Sequence, residues 1–104
     1  MTQMLSSVVD CDTLEIQMLR LPEQIDAITM PQVMADLDRL LQPGIGVMLD
    51  FSRTRTVDRA CLKVFEFASD LAAERSASLG YMGESVELRE LLEVQRWFKQ
   101  AAKV

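Results

Sequence analysis

No histidine occurs anywhere in the chain. Its absence removes the usual general base, the usual zinc ligand and every Ser-His or Cys-His nucleophile pair. Cysteine is scarce: Cys11 and Cys61 are far apart in the chain and make neither a disulfide framework nor a metal-ligand pattern. No apolar run approaches the roughly 18–20 residues of a membrane span. The first residues, MTQMLSSVVD, lack the basic start and long apolar segment of a secretion signal. A cytoplasmic location without direct membrane insertion is therefore expected. Basic residues are outnumbered, 11 against 16 acids for a net charge of −5. That argues against nucleic acid as a partner, because displacing counterions from phosphates needs a basic surface. No catalytic residue, metal or cofactor is expected, and no enzyme.

What is present suits one small soluble domain. The 104 residues are 49% apolar and 26% charged, too apolar for disorder and too few for two cores. Residues 1–104 are read as a single domain, with no internal repeat, low-complexity tract or linker. Met4, Leu5, Val8 and Val9 predict a short first strand. From Thr13 to Leu21 the chain alternates, with Leu14, Ile16 and Met18 against Glu15 and Gln17, a half-buried strand. The alternation slips at Met18-Leu19, which a bulge or fuller burial would explain. Thr29-Met30-Pro31-Gln32 has the form of a capping box with proline in the first turn. The helix it opens carries Val33, Leu37, Leu40 and Leu41 on one face and stops at Gln42-Pro43-Gly44.

The stretch Gly44–Leu71 organises the rest. Ile45, Val47, Met48, Leu49 and Phe51 around a lone Asp50 predict a strand covered on both faces. Ser52-Arg53-Thr54-Arg55-Thr56 then crosses to a helix starting near Asp58. Cys61, Val64, Phe65, Ala68, Leu71 and Ala72 form its apolar stripe. Residues 77–83 predict a further strand. From Glu84 onward no Gly or Pro appears, and Leu88, Leu91, Leu92, Val94 and Phe98 give a helical stripe, as one helix or as two broken near Glu93. Glu84, Glu87, Glu90 and Glu93 are assigned to its solvent side, and Trp97-Phe98 to one core and one partly exposed ring.

The order is β-β-α-β-α-β-α. It predicts an α/β fold, a four-stranded mixed sheet with helices on one face and the first strand antiparallel at an edge. Loops leaving parallel strands gather on one rim, where sites form. Two loops meet that rim, one with Glu23, Gln24 and Asp26, the other with Arg53 to Arg59. Arg53, Arg55, Arg59 and Lys63 place four cations within eleven residues of an acidic chain. They are either a solvated face or a docking patch for an acidic partner. Asp58 reads first as a helix cap. Cys61 reads as a buried core residue, with thiol redox chemistry as the other possibility.

Ile25-Asp26-Ala27 before a helix, Val47-Met48-Leu49-Asp50-Phe51-Ser52 in the central strand and Val57-Asp58 at the turn resemble the STAS family, the anti-sigma factor antagonists. The resemblance runs from about Leu14 to Phe98. It implies a small mixed sheet with helices on one face and binding to a kinase-like anti-sigma factor of the GHKL-type ATPase fold. In the family the motif reads apolar-Asp-Ser-Ser-Gly-Leu, and the partner phosphorylates the second serine to release the complex. Here Asp58 and Leu62 match, but Arg59 and Ala60 replace the serines and Cys61 the glycine; Glu23 also stands where glycine is common.

The resemblance thus implies a bacterial signalling module that regulates transcription by partner switching, yet lacks the usual phosphosite. The implied partner surface is Asp26, Arg53, Arg55, Thr56, Asp58, Arg59, Ala60 and Lys63, with Thr54 and Thr56 as weaker phosphate acceptors. The alternative is a STAS subunit of a membrane assembly such as an ABC-type lipid transporter, contacting its ATPase subunit.

Overall fold

The apolar run at Ile45–Leu49 becomes the interior of a sheet. The computed structural model describes residues 15–100 and 102–103. In order these form β1 (Glu15–Arg20), β2 (Gln24–Ile25), α1 (Met30–Leu40), β3 (Ile45–Asp50), β4 (Thr56–Val57) and a 3-10 turn (Arg59–Cys61). Then follow α2 (Leu62–Glu74), β5 (Ser78–Met82), α3 (Val86–Leu92), α4 (Arg96–Gln100) and β6 (Ala102–Lys103). The main sheet runs β1-β3-β5-β6 and every pairing in it is parallel; β2 and β4 form a second, two-stranded parallel sheet. The antiparallel edge strand expected from residues 1–9 lies outside the described residues. The fourth described strand is instead β6, too short to be read from sequence.

Register aligns the side chains in rows. Leu19, Leu49 and Tyr81 share one row and Gln17, Val47 and Leu79 the next. The leucines, Val47 and Tyr81 in them are buried. The opposite rows hold Ile16 and Met18, which are 59% and 52% exposed. This reverses the expected phase of β1. Its core-facing residues are Leu19 and, just past its end, Leu21, and no bulge interrupts the register with β3. A parity shift of one residue moves a whole apolar set to the other face, so the first half of the alternation pointed the wrong way.

Helix starts follow from short polar side chains. The expected box at Thr29 does not form: its hydroxyl donates to the Gln24 carbonyl at 2.7 Å. Asp26 instead caps the turn that leads into the helix, accepting from the N–H groups of Ile28 and Thr29 at 3.0 and 3.1 Å. Asp58 caps the 3-10 turn as expected, accepting from the Ala60 N–H at 3.0 Å. The α2 stripe then buries Leu62, Phe65, Ala68 and Ala72. Arg75, just past α2, donates to the carbonyls of Asp38 and Leu41 and pairs with Asp38 at 2.8 Å, tying the ends of the two helices together.

The C-terminal stripe is two helices, α3 capped by Ser85 and α4 beginning at Arg96. Both Trp97 and Phe98 are buried, against the expectation of one partly exposed ring. They extend a chain of rings, Phe51–Phe65–Trp97–Phe98–Tyr81, with centroids 4.0 to 6.1 Å apart. Breaking the helix before Trp97 is what turns both rings inward. Glu84 also departs from the expected solvent side: its carboxylate is 5% exposed and accepts from Arg89 at 2.8 Å.

Among the described residues the buried Trp97 indole N–H has no hydrogen-bond partner. Replacing the ring by Ala should cost about 3–5 kcal/mol in urea unfolding. Trp97→Phe should cost much less, because it also removes the unsatisfied donor.

Candidate partner-binding rim

Parallel pairing brings the carboxyl ends of β1 and β3 to the same edge, and the loops that leave them are laced together. The N–H groups of Arg55 and Thr56 both donate to the Glu23 carbonyl, at 2.7 and 3.2 Å, and Asp58 N–H donates to the Ile25 carbonyl at 2.8 Å. The short β2–β4 ladder, Gln24 with Thr56 and Ile25 with Val57, continues the contact. Thr54 is buried, and its hydroxyl donates to the Pro22 carbonyl at 2.9 Å. That removes it as a phosphate acceptor on the surface. Thr56 is exposed.

The root of the arginine loop is held by Asp50, a residue whose role sequence reasoning missed. Its carboxylate accepts from the Ser52 N–H at 2.9 Å, an aspartate turn of the kind Asp-x-Ser favours. Gly83 closes the clamp from β5. Its φ is +79°, and a Cβ there would lie 2.9 Å from the Ser52 nitrogen and 3.0 Å from the Asp50 Oδ1. The Ser52 N–H, then its hydroxyl, hold the Asp50 carboxyl below the ordinary carboxylate value; burial opposes them and Arg20, at 3.8 Å, adds to them.

Of the expected surface residues, Arg53, Arg55, Thr56, Asp58, Arg59, Ala60 and Lys63 are exposed and Asp26 is half-buried. Glu23, Ser52, Arg53, Thr54 and Arg55 line an open hollow of about 500 Å³ with Ser85 and Glu87. Ser85 and Glu87 come from the segment after β5 and carried no sequence signal for this place.

Charge pairing divides the arginines. Arg20, Arg39, Arg75, Arg89 and Arg96 each have a carboxylate within 4.0 Å. Among the described residues, Arg53, Arg55, Arg59 and Lys63 have none. Of the nearby acids, Asp26 and Asp58 accept from backbone N–H groups and Asp50 holds the loop root, while Glu23 and Glu87 line the same hollow as Arg53 and Arg55 without an ion pair within 4.0 Å.

Cys61 is buried at the end of the 3-10 turn. Burial pushes its thiol upward, and Asp58 and Asp26 push the same way. A thiol so held is a poor nucleophile. Among the described residues no group of three or more potential ligands could hold a metal, and no helix is long and apolar enough to cross a membrane.

These features define a small parallel α/β domain whose ordered rim presents charge. A family model described as Mlab, STAS domain matches residues 9–99. The chain therefore belongs to the STAS-domain family. Among solved structures, the anti-sigma factor antagonist SpoIIAA in its unphosphorylated form is similar, with a TM-score of 0.70 and 14% identity over 88% of this chain and 82% of that one. The likeness shows a common fold. No curated protein is significantly similar in sequence.

Gly83→Ala should cost about 1–3 kcal/mol, because backbone and a fixed carboxylate meet the new methyl. Asp50 also gives a pH signature. Its folded value is depressed, so it contributes stability above the ordinary carboxylate range that is lost as pH falls through the folded value. Thermal melts from about pH 7 to about pH 3 should show Asp50→Asn less stable than the parent near neutrality, with the gap closing on acidification.

Proposed function

We propose that the chain is a non-catalytic protein–protein interaction module whose rim docks an acidic surface of a partner ATPase. The observation that carries this reading is the set of unpaired cations at Arg53, Arg55, Arg59 and Lys63, in a protein whose other arginines are all neutralised locally. Unpaired guanidinium groups on an ordered rim attract and orient carboxylates, raising association rates and excluding basic partners. Asp26, Thr56, Asp58 and Ala60 complete the surface.

Following the family resemblance, the partner is a kinase-like anti-sigma factor of the GHKL-type ATPase fold, and the setting is cytoplasmic regulation of transcription in a bacterium. Position 60 lies two residues after the Asp58 cap, and its alanine has no hydroxyl to accept phosphate. The module is therefore unswitched there and presents itself to its partner as permanently dephosphorylated. Of the two threonine candidates only Thr56 is exposed, and nothing in its surroundings favours phosphotransfer.

The same missing hydroxyl favours a second reading. An interface without a release switch suits a standing subunit, such as a STAS protein held on the ATPase subunit of an ABC-type lipid transporter. Co-purification distinguishes the two, since a GHKL-type kinase supports the first and a nucleotide-binding transporter subunit the second.

Arg55→Glu or Arg59→Glu should weaken partner binding at least roughly tenfold while leaving the melting temperature within a degree or two, both side chains being exposed and unpaired. Unchanged affinity in both variants would return the cluster to ordinary surface. With labelled ATP and the kinase partner the chain should remain unlabelled; stoichiometric phosphate on Thr56 would sink the unswitched reading.

A further inference from the structure

The solvent-facing flank of α2 carries Lys63, Phe67, Asp70 and Glu74, spaced four, three and four residues apart and so on one face of the helix. Phe67 is 59% exposed, while every other aromatic side chain of the protein is buried. Beside it α1 and α2 form an apolar groove of about 290 Å³, lined by Met34, Leu37, Val64, Ala68 and Leu71 with Phe67 at its lip. Its charged edge is closed by the Asp38–Arg75 pair at 2.8 Å. Knob and hole therefore lie on the same surface, the condition for an isologous contact in which each copy fills the other.

The charges on this flank point to the same occupant. Arg59 and Lys63 stand at the start of α2, and Glu66, Asp70 and Glu74 follow toward its end. The first turn has no acid and the last turn no base. Within the helix that order opposes the macrodipole, which favours acids at the start and bases at the end, and only the flanking Asp58 and Arg75 offset it. Two copies of α2 laid antiparallel correct it. With the two-fold axis between Phe67 and the groove, each ring crosses into the other copy's groove, and Lys63 of one copy comes toward the end of α2 of the other, where Glu74 lies. Lys63 and Glu74 have no ion-pair partner within the described residues.

We propose that the chain self-associates as a two-fold homodimer through α2, each Phe67 seated in the groove of the other copy. The contact involves little more than two helices per copy, so it belongs to the weak, reversible class of interfaces. The inference does not rest on the rim reading: Lys63 is common to both surfaces, and Phe67→Ser, which leaves every rim cation in place, separates them.

Sedimentation velocity of the purified chain alone, from about 10 μM to about 1 mM, reads the equilibrium directly. The weight-average mass should climb from monomer toward dimer with concentration. Phe67→Ser, at an exposed position and checked for native circular dichroism, should remain monomeric. Lys63→Glu and Glu74→Lys should each weaken association several-fold, and the double variant should regain most of the loss, as expected for charges facing each other across an interface. A parent that stays monomeric to the highest concentration overturns the proposal, as does a dimer indifferent to Phe67→Ser. A monomer in which Phe67→Ser abolishes binding to a foreign partner also overturns it and assigns the groove to that partner.

Discussion

Where β3 pairs in parallel with β1 on one edge and β5 on the other, each connection has to return across the sheet before the next strand can begin. The returning segments are α1 and α2, and they cover the rows that hold Leu19, Val47, Leu49 and Tyr81. Because all the main strands point the same way, the loops after β1 and β3 emerge together. The lacing of Glu23 and Ile25 to residues 55–58 is possible only through that adjacency. The core and the rim are two results of one pairing pattern.

Much of this was legible in the sequence. A nearly continuous apolar strand, a helix of period 3.6 after Asp58 and the order of elements define the parallel core, and Asp58 takes the capping place its chemistry suggests. Other features depend on partners remote in sequence. The phase of β1 was misleading because Ile16 and Met18 are apolar yet face outward, and local alternation cannot say which face meets the helices. Thr29 looked like the cap, but its hydroxyl donates to the Gln24 carbonyl, and Asp26 caps the turn before the helix. Trp97 and Phe98 are both inside because the helix breaks before them, an event without glycine or proline to announce it.

The rim shows the same division. Its four cations were visible as a cluster, but not that they would be left unpaired. That outcome depends on where the acids lie: Asp36, Asp38, Glu66, Glu84 and Glu93 neutralise arginines elsewhere, Asp26, Asp50 and Asp58 serve backbone groups, and Glu23 and Glu87 line the hollow without closing an ion pair. A net charge of −5 therefore coexists with an edge whose cations have no ion-pair partner among the described residues. Global charge governs solubility and long-range repulsion; local pairing governs which surface can still bind an anion.

The buried Thr54 hydroxyl, bonded to the Pro22 carbonyl, has a consequence for binding thermodynamics. It nails the middle of the arginine loop to the segment between β1 and β2, so the loop's conformational entropy has already been surrendered during folding. Ordering a free backbone costs roughly 1–2 kcal/mol per residue. A flexible loop would charge that cost against every encounter, whereas this one leaves only the side-chain rotamers of Arg53 and Arg55 to be fixed on contact. Association through such an edge resembles the meeting of two rigid bodies, with its rate set by charge and orientation and little by loop rearrangement.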